Sequence, residues 1–336
     1  LVARFSGLKQ WADTKSLEIT DMSESAPIPF HAWLILGVAL FAVSSAGAVF
    51  EMIEGIEGIT KAAWRLQATA LILFPGFVWQ FSQSEIKITE NWKSSFHLLV
   101  FSGFCLALHF GTWLMSLDRT TLTHSLLFVT AHPLVIILGL WILRKPASKM
   151  QSIGASVGFA GAAVVALGGS DETGVTMYGD FLAFIGAVTI VGYLAIGRMV
   201  RGWMPLFMYA FPVTFVAAVF LTIWAIITED LVFNFNSISG AFGWLSIAWL
   251  VYIAYLAIGP GLLGHTGINA VLRWIPPLVI SMILIMEPII GSMIGWLIGV
   301  DDIPGRWTIL GGLLMIFGLF LVTINSESDE APLPSD

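Results

Sequence analysis

Apolar residues recur in blocks of about twenty from Phe30 to Ile324, the length a helix needs to cross the hydrocarbon of a bilayer. That recurrence fixes the solvent in which most of the chain folds. Of 336 residues, 57% are hydrophobic and 11% charged, against roughly 45–50% and about 25% in a soluble domain. Too few charges remain to cover a water-facing surface. The sequence therefore reads as an all-α, polytopic membrane protein with ten transmembrane helices, over 30–50, 62–82, 95–117, 122–143, 151–169, 178–199, 206–228, 243–270, 277–299 and 306–324. Each helix satisfies its own backbone hydrogen bonds in lipid, and Pro75, Pro133, Pro212, Pro260 and Pro288 are expected as kinks that border cavities.

Ten spans put both termini on one side, so alternate loops can be compared for Lys and Arg. The terminus side holds Arg4, Lys9, Lys15, Lys87, Lys93, Arg144, Lys145, Lys149, Arg198, Arg201 and Arg273, eleven in all, against four on the other, Lys61, Arg65, Arg119 and Arg306. Both termini are thus expected in the cytosol or its topological equivalent, in a plasma or organelle membrane. Asp171, Glu172, Glu229, Asp230, Asp301 and Asp302 fall opposite. The net charge of −7 sits partly in the tail residues Glu327, Asp329, Glu330 and Asp336, and no basic patch for nucleic acid is present. The one cysteine, Cys105, lies in an apolar segment, so no disulfide staples the fold. The chain opens at Leu1, which leaves room for a processed or truncated start and a lost targeting peptide.

The second half echoes the first. Ala131-His132-Pro133-Leu134 returns in pattern as Met286-Glu287-Pro288-Ile289, with Trp141 and Trp296 at the same offset after each proline. Gly154 and Gly161 answer Gly311 and Gly318 at equal spacing, and Leu117 answers Leu272. Five helices is an odd number, so a duplicated half enters the bilayer upside down, giving two inverted five-helix repeats. Such repeats characterise carriers whose substrate site lies at the midplane between the halves. The expected organisation is an N-terminal cytosolic segment 1–29, repeats at 30–171 and 172–325, and an acidic tail 326–336.

Several segments carry a family resemblance in their order. They are Lys61-Ala62-Ala63-Trp64-Arg65-Leu66 opening helix 2, Thr123-His124-Ser125-Leu126-Leu127-Phe128 leading to His132-Pro133-Leu134 in helix 4, and Gly179-Asp180-Phe181-Leu182-Ala183 opening helix 6. Leu263-Gly264-His265-Thr266-Gly267-Ile268-Asn269 in helix 8 and Met286-Glu287-Pro288 in helix 9 complete the set. Over residues 30 to 325 the chain resembles the EamA-like branch of the drug/metabolite transporter superfamily. The resemblance implies a ten-helix carrier of two inverted repeats, in a family broad in substrate: amino acids, drugs and other metabolites. Where that family carries Gly-Glu after helices 4 and 9, this chain has Arg144-Lys145-Pro146 and Val300-Asp301-Asp302, so no role for the first acid is carried over.

Ionisable groups inside a span cost about 2.5–3.5 kcal/mol at its centre and usually face a cavity or a partner. Glu287, before Pro288, is the leading candidate for substrate binding or proton coupling, and His132 occupies the repeat-equivalent place before Pro133. The pair is expected at symmetric depths around one cavity, with ionisation ranges suited to proton exchange. Each also has a bland reading, as a hydrogen-bonded tie between helices. His109, His265 and His124 are further histidines of the same kind. Arg65 either snorkels to the interface, which its long stem favours, or reaches inward to an anionic substrate. Asn269, one turn from Arg273, and Trp113, as an aromatic wall or an interface anchor, complete the set. The glycines of helices 5 and 10 read as close packing. Gly259-Pro260-Gly261 reads as a helix interruption or hinge.

These features point to a secondary transporter of a small polar metabolite working by alternating access, proton-coupled or an exchanger, as a monomer or homodimer in the lipid bilayer. No cofactor or metal site is expected, since the histidines lack metal-ligand spacing, and no phosphate loop for ATP is present. A non-transporting subunit of the same fold is the alternative. An intramembrane enzyme, lacking a recognisable nucleophile or metal motif, comes third.

Overall fold

The computed structural model describes residues 28–142, 144, 148–168, 174–234 and 237–324. The expected acidic tail, nearly all of the expected N-terminal segment, Lys145-Pro146, Asp171 and Glu172 lie outside the described residues. The chain runs through α1 Phe30–Ser44, α2 Ala46–Glu51, α3 Gly58–Gln83, α4 Ile86–Ser94 and α5 Phe96–Leu117. It continues through α6 Leu122–Val129, α7 His132–Ile142, α8 Lys149–Gly168, α9 Met177–Arg201 and α10 Leu206–Thr228. After a 3-10 turn at Gly243–Leu245 come α11 Ile247–Leu256, a π-helix Ala257–Thr266, α12 Gly267–Val271, α13 Pro277–Leu284, α14 Glu287–Ile298 and α15 Arg306–Ile324. Among the described residues there is no strand.

Among the described residues, seven stretches are long and apolar enough to cross a bilayer: Phe30–Glu51, Phe96–Leu117, Leu122–Ile142, Lys149–Gly168, Met177–Arg201, Leu206–Thr228 and Ile247–Val271. Helix α3 is 26 residues long but carries Lys61 and Arg65, which lower its hydropathy. Glu287–Ile298 and Arg306–Val322 are shorter apolar helices. The protein is an integral, multi-pass membrane protein.

Three spans expected as continuous helices are interrupted, and one rule places each interruption. Proline clashes with the carbonyl four residues earlier and supplies no N–H to it. Pro133, Pro260 and Pro288 stand four residues after Val129, Leu256 and Leu284, and those residues end α6, α11 and α13. After Leu256 the chain loosens into ten residues of π-helix instead of turning, and Thr266 Oγ1 donates to the Gly261 carbonyl at 3.0 Å. Pro75 and Pro212 lie inside α3 and α10 without breaking them, and the Met208 carbonyl that Pro212 frees accepts a 2.8 Å bond from Trp92 Nε1. Trp92 lies on α4, a short charged helix in a stretch that the sequence reads as a loop between spans. The first span bends at Ser44-Ser45, whose hydroxyls donate to the Leu40 and Ala42 carbonyls, each at 2.8 Å, a local competition that bends helices.

The helices pack in pairs: α8 on α15, α5 on α9, α3 on α10, and α1 along the π-helix and α12. The α8–α15 seam is made by glycine. A β-carbon on Gly154 would meet the Gly318 carbonyl at 2.6 Å, and one on Gly161 would meet the Gly311 carbonyl at 2.7 Å. The expected packing role of these glycines is their observed one.

Candidate functional site

Near the interruptions of the first span, α6–α7 and α13–α14, the helices enclose a cavity of about 50 Å3. Arg65 of α3, His109 and Trp113 of α5, His132 of α7, His265 of the π-helix and Glu287 of α14 all line it. Six of the eight candidates, from five separate elements, therefore meet at one hollow, while Asn269 and His124 lie elsewhere. Proline accounts for part of this: Pro133 and Pro288 end the preceding helices and leave His132 and Glu287 as the first residues of new ones.

Arg65 corrects the expectation that its side chain snorkels to the interface. It is 1% exposed, with its guanidinium 4.4 Å from the centroid of Phe110 and 5.8 Å from that of Phe50. Among the described residues no carboxylate lies within 4.0 Å of it. Its Nε, Trp113 Nε1 and His132 Nδ1 are buried without a hydrogen-bond partner. His109 stacks on Trp113 with centroids 6.3 Å apart, and its Nδ1 donates to the Gly186 carbonyl at 2.9 Å. A carbonyl only accepts, so Nδ1 carries the proton and Nε2 is the acceptor of the neutral ring. His265 packs against Phe110 at 5.0 Å.

Asn269 does not line the cavity. Its amide donates to the Tyr193 hydroxyl, and its backbone carbonyl accepts from Arg201 Nε at 3.0 Å. Arg201 also donates to the Met204 carbonyl. These bonds lie where α9 and α12 end, with Arg198 Nη1 on the Leu272 carbonyl at 2.6 Å and Gln80 Oε1 accepting from the Phe207 amide at 2.6 Å.

A second polar set lies at the opposite ends of α3 and α10. The α3 N-terminus gives its Gly58 amide to Asp118 at 2.9 Å and its Ile59 and Thr60 amides to Glu229, both at 2.8 Å, where carboxylates also suit the helix dipole. Lys61 pairs with Asp118 at 3.6 Å. Asp301 Oδ2 accepts from the Thr123 amide and hydroxyl at the start of α6, at 3.1 and 3.0 Å. Burial raises the carboxyls of Glu229 and Asp301 above the usual carboxylate range, although their hydrogen bonds pull the other way.

Apart from the cavity, His124 Nδ1 lies 3.1 Å from both Asp180 oxygens, His124 Nε2 lies 2.8 Å from Thr308 Oγ1, and Thr120 donates to Asp180 at 2.8 Å. The spacing resembles a hydrolase relay. All four side chains are buried, with Thr308 only 1% exposed, and their bonds tie α6, α9 and α15 together. Among the rings beside the cavity, sequence reasoning missed Phe110. It adjoins His109 and precedes Trp113 by three positions, so the helical spacing that marks one face carried the signal.

Residues 30–167 match the family model described as the EamA-like transporter family. The EamA-like match agrees with membership of the drug/metabolite transporter superfamily, a class of membrane transporters. No curated protein matches the chain. Solved structures match in 22 chains. One crystal structure aligns with a TM-score of 0.58 at 16% identity, over 88% of this chain and 97% of its own, a likeness of fold alone.

Proposed function

We propose that the protein is a secondary transporter of a small polar metabolite, with the hollow shared by Arg65, His109, Trp113, His132, His265 and Glu287 as its substrate site. The observation that carries this reading is the gathering of costly ionisable groups, scattered over more than 200 positions of sequence, around one enclosed space inside an apolar bundle. Intramembrane charge is retained where it meets a cavity or a pathway.

The proposed architecture is ten spans in two inverted repeats, obtained by joining α1–α2, α6–α7, α11–α12 and α13–α14 into single crossings. Helix pairing supports it. Under a pseudo-two-fold axis the third and eighth spans exchange, as do the first and sixth, so α5 on α9 becomes the π-helix and α12 on α1; both pairings occur. A symmetric interface also demands that if residue i touches j, the equivalents touch in reverse. Gly154 against Gly318 and Gly161 against Gly311 meet that demand, since Gly154 corresponds to Gly311 and Gly161 to Gly318. In this topology the Lys and Arg excess favours both termini in the cytosol.

Alternating access then requires the two polar sets to part in turn. Asp118, Glu229 and Asp301 hold one end of the bundle, while Arg201, Arg198 and Gln80 hold the other. Reconstituted vesicles test the reading. Saturable counterflow of a labelled metabolite, chosen by thermal-shift screening of the purified protein, is the expected result. Chemical turnover without translocation would instead identify an intramembrane enzyme, and neither would identify a non-transporting subunit.

A further inference from the structure

We infer that the central cavity binds a small singly charged oxyanion, of the size of a two- to four-carbon monocarboxylate, with Arg65 and Trp113 as its direct donors. This rests on the proposal that the cavity is a transporter's substrate site. The cavity leaves two of its donors without acceptors. Arg65 Nε and Trp113 Nε1 are buried and unpartnered, and a guanidinium or an indole N–H can only donate. A buried donor left unpaired costs about 1–3 kcal/mol, more when charged. Two obligate donors on different helices, α3 and α5, border the same hollow and share Phe50 and Phe110 as ring neighbours. The complement of such a wall is a group rich in acceptors.

Charge narrows the class. The Arg65 guanidinium has ring faces beside it and no carboxylate within 4.0 Å among the described residues. A cation–π contact is worth about 0.5–2 kcal/mol, less than the several kcal/mol that desolvating an ion takes. Glu287 borders the same cavity and offsets the field without reaching the hydrogen-bonding sites of Arg65. With a proton on Glu287 the Arg65–Glu287 pair carries one net positive charge and suits a monoanion, whereas a phosphate brings up to two negative charges. Volume narrows it further. At about 10–15 Å3 of cavity per water, 50 Å3 holds only a few waters, the bulk of acetate or lactate.

The test separates binding from movement. With purified full-length protein, lactate is titrated against the thermal midpoint beside its neutral isostere lactamide, zwitterionic alanine and inorganic phosphate. Counterflow of labelled lactate, alanine and lactamide is measured in proteoliposomes. A saturable upward shift with lactate alone is expected, weakened at least tenfold in Arg65→Gln, several-fold in Trp113→Phe, and partly restored in Arg65→Lys. Midpoints without ligand identify any variant that fails to fold, and Trp113→Phe then carries the comparison. Equal response to lactamide, a preference for alanine or phosphate, or an unchanged lactate response in Arg65→Gln overturns the oxyanion assignment. Counterflow of alanine or lactamide without lactate binding also overturns it while leaving the transporter reading intact. Lactate binding without counterflow overturns the transporter reading and keeps the anion site.

Discussion

The carbonyl oxygen of Gly311 lies 2.7 Å from the point a β-carbon on Gly161 would occupy, and the Gly161 carbonyl lies at the same 2.7 Å from the equivalent point on Gly311. Two backbones this close leave no room for a side chain on either. In lipid, where apolar surface gains little by leaving its solvent, such close contact supplies the packing that holds helices together.

Gly161→Val is therefore expected to lower the thermal midpoint in detergent markedly, at a cost of about 1–3 kcal/mol from overpacking. Gly139→Ala on α7, whose added carbon meets nothing within 4 Å, should melt at or slightly above the unmodified protein. Equal midpoints for the two variants would contradict the seam.

Trp92→Phe keeps most of the ring but removes the donor to the Met208 carbonyl that Pro212 leaves unpaired. Leaving that carbonyl unsatisfied is expected to cost about 1–3 kcal/mol. The same substitution in a Pro212→Ala background should cost clearly less, because the helix can then supply the missing N–H. A double-mutant cycle in detergent reads the difference.

Much of this fold is legible in the sequence. The apolar blocks place α10 at its observed limits, and the repeated Glu287-Pro288 and His132-Pro133 point to the cavity, because ionisable groups inside hydrocarbon persist where a cavity or a partner receives them. Three things are not legible there. Whether a proline ends its helix is not written in the residue itself: α10 runs on through Pro212, whose freed Met208 carbonyl Trp92 satisfies, and α3 runs on through Pro75, while α6 ends at Val129. The long stem of Arg65 suits a reach toward water, and only the neighbouring rings of Phe50 and Phe110 decide that it turns inward. Asp301, a departure from the family pattern, takes its meaning from capping Thr123 across 178 positions.

Acid should stabilise the end of the bundle where Glu229 and Asp301 cap α3 and α6. Burial raises the Glu229 and Asp301 carboxyls, so the folded state holds protons at pH values where the unfolded chain has released them. Stability from these groups is full below the ordinary carboxylate pKa of about 4 and is lost as pH rises through the raised values. The thermal midpoint is expected to fall over that window, and Glu229→Gln should flatten the slope. A midpoint rising with pH there would have the wrong sign.

Glu287→Gln is expected to abolish uptake driven by a pH gradient while solute exchange remains measurable in the same vesicles, since the amide keeps the shape of the site and cannot carry the proton. Unchanged pH dependence would remove Glu287 from coupling.

Thr130 borders the cavity between α6 and α7, and Cys105 is the chain's single cysteine. Thr130→Cys in a Cys105→Ala background, reconstituted in vesicles and treated with a membrane-impermeant maleimide from one face at a time, reports directly on access to the cavity. Alternating access predicts labelling from both faces, with ligand shifting the balance between them. Labelling confined to one face under every ligand and pH condition would contradict it.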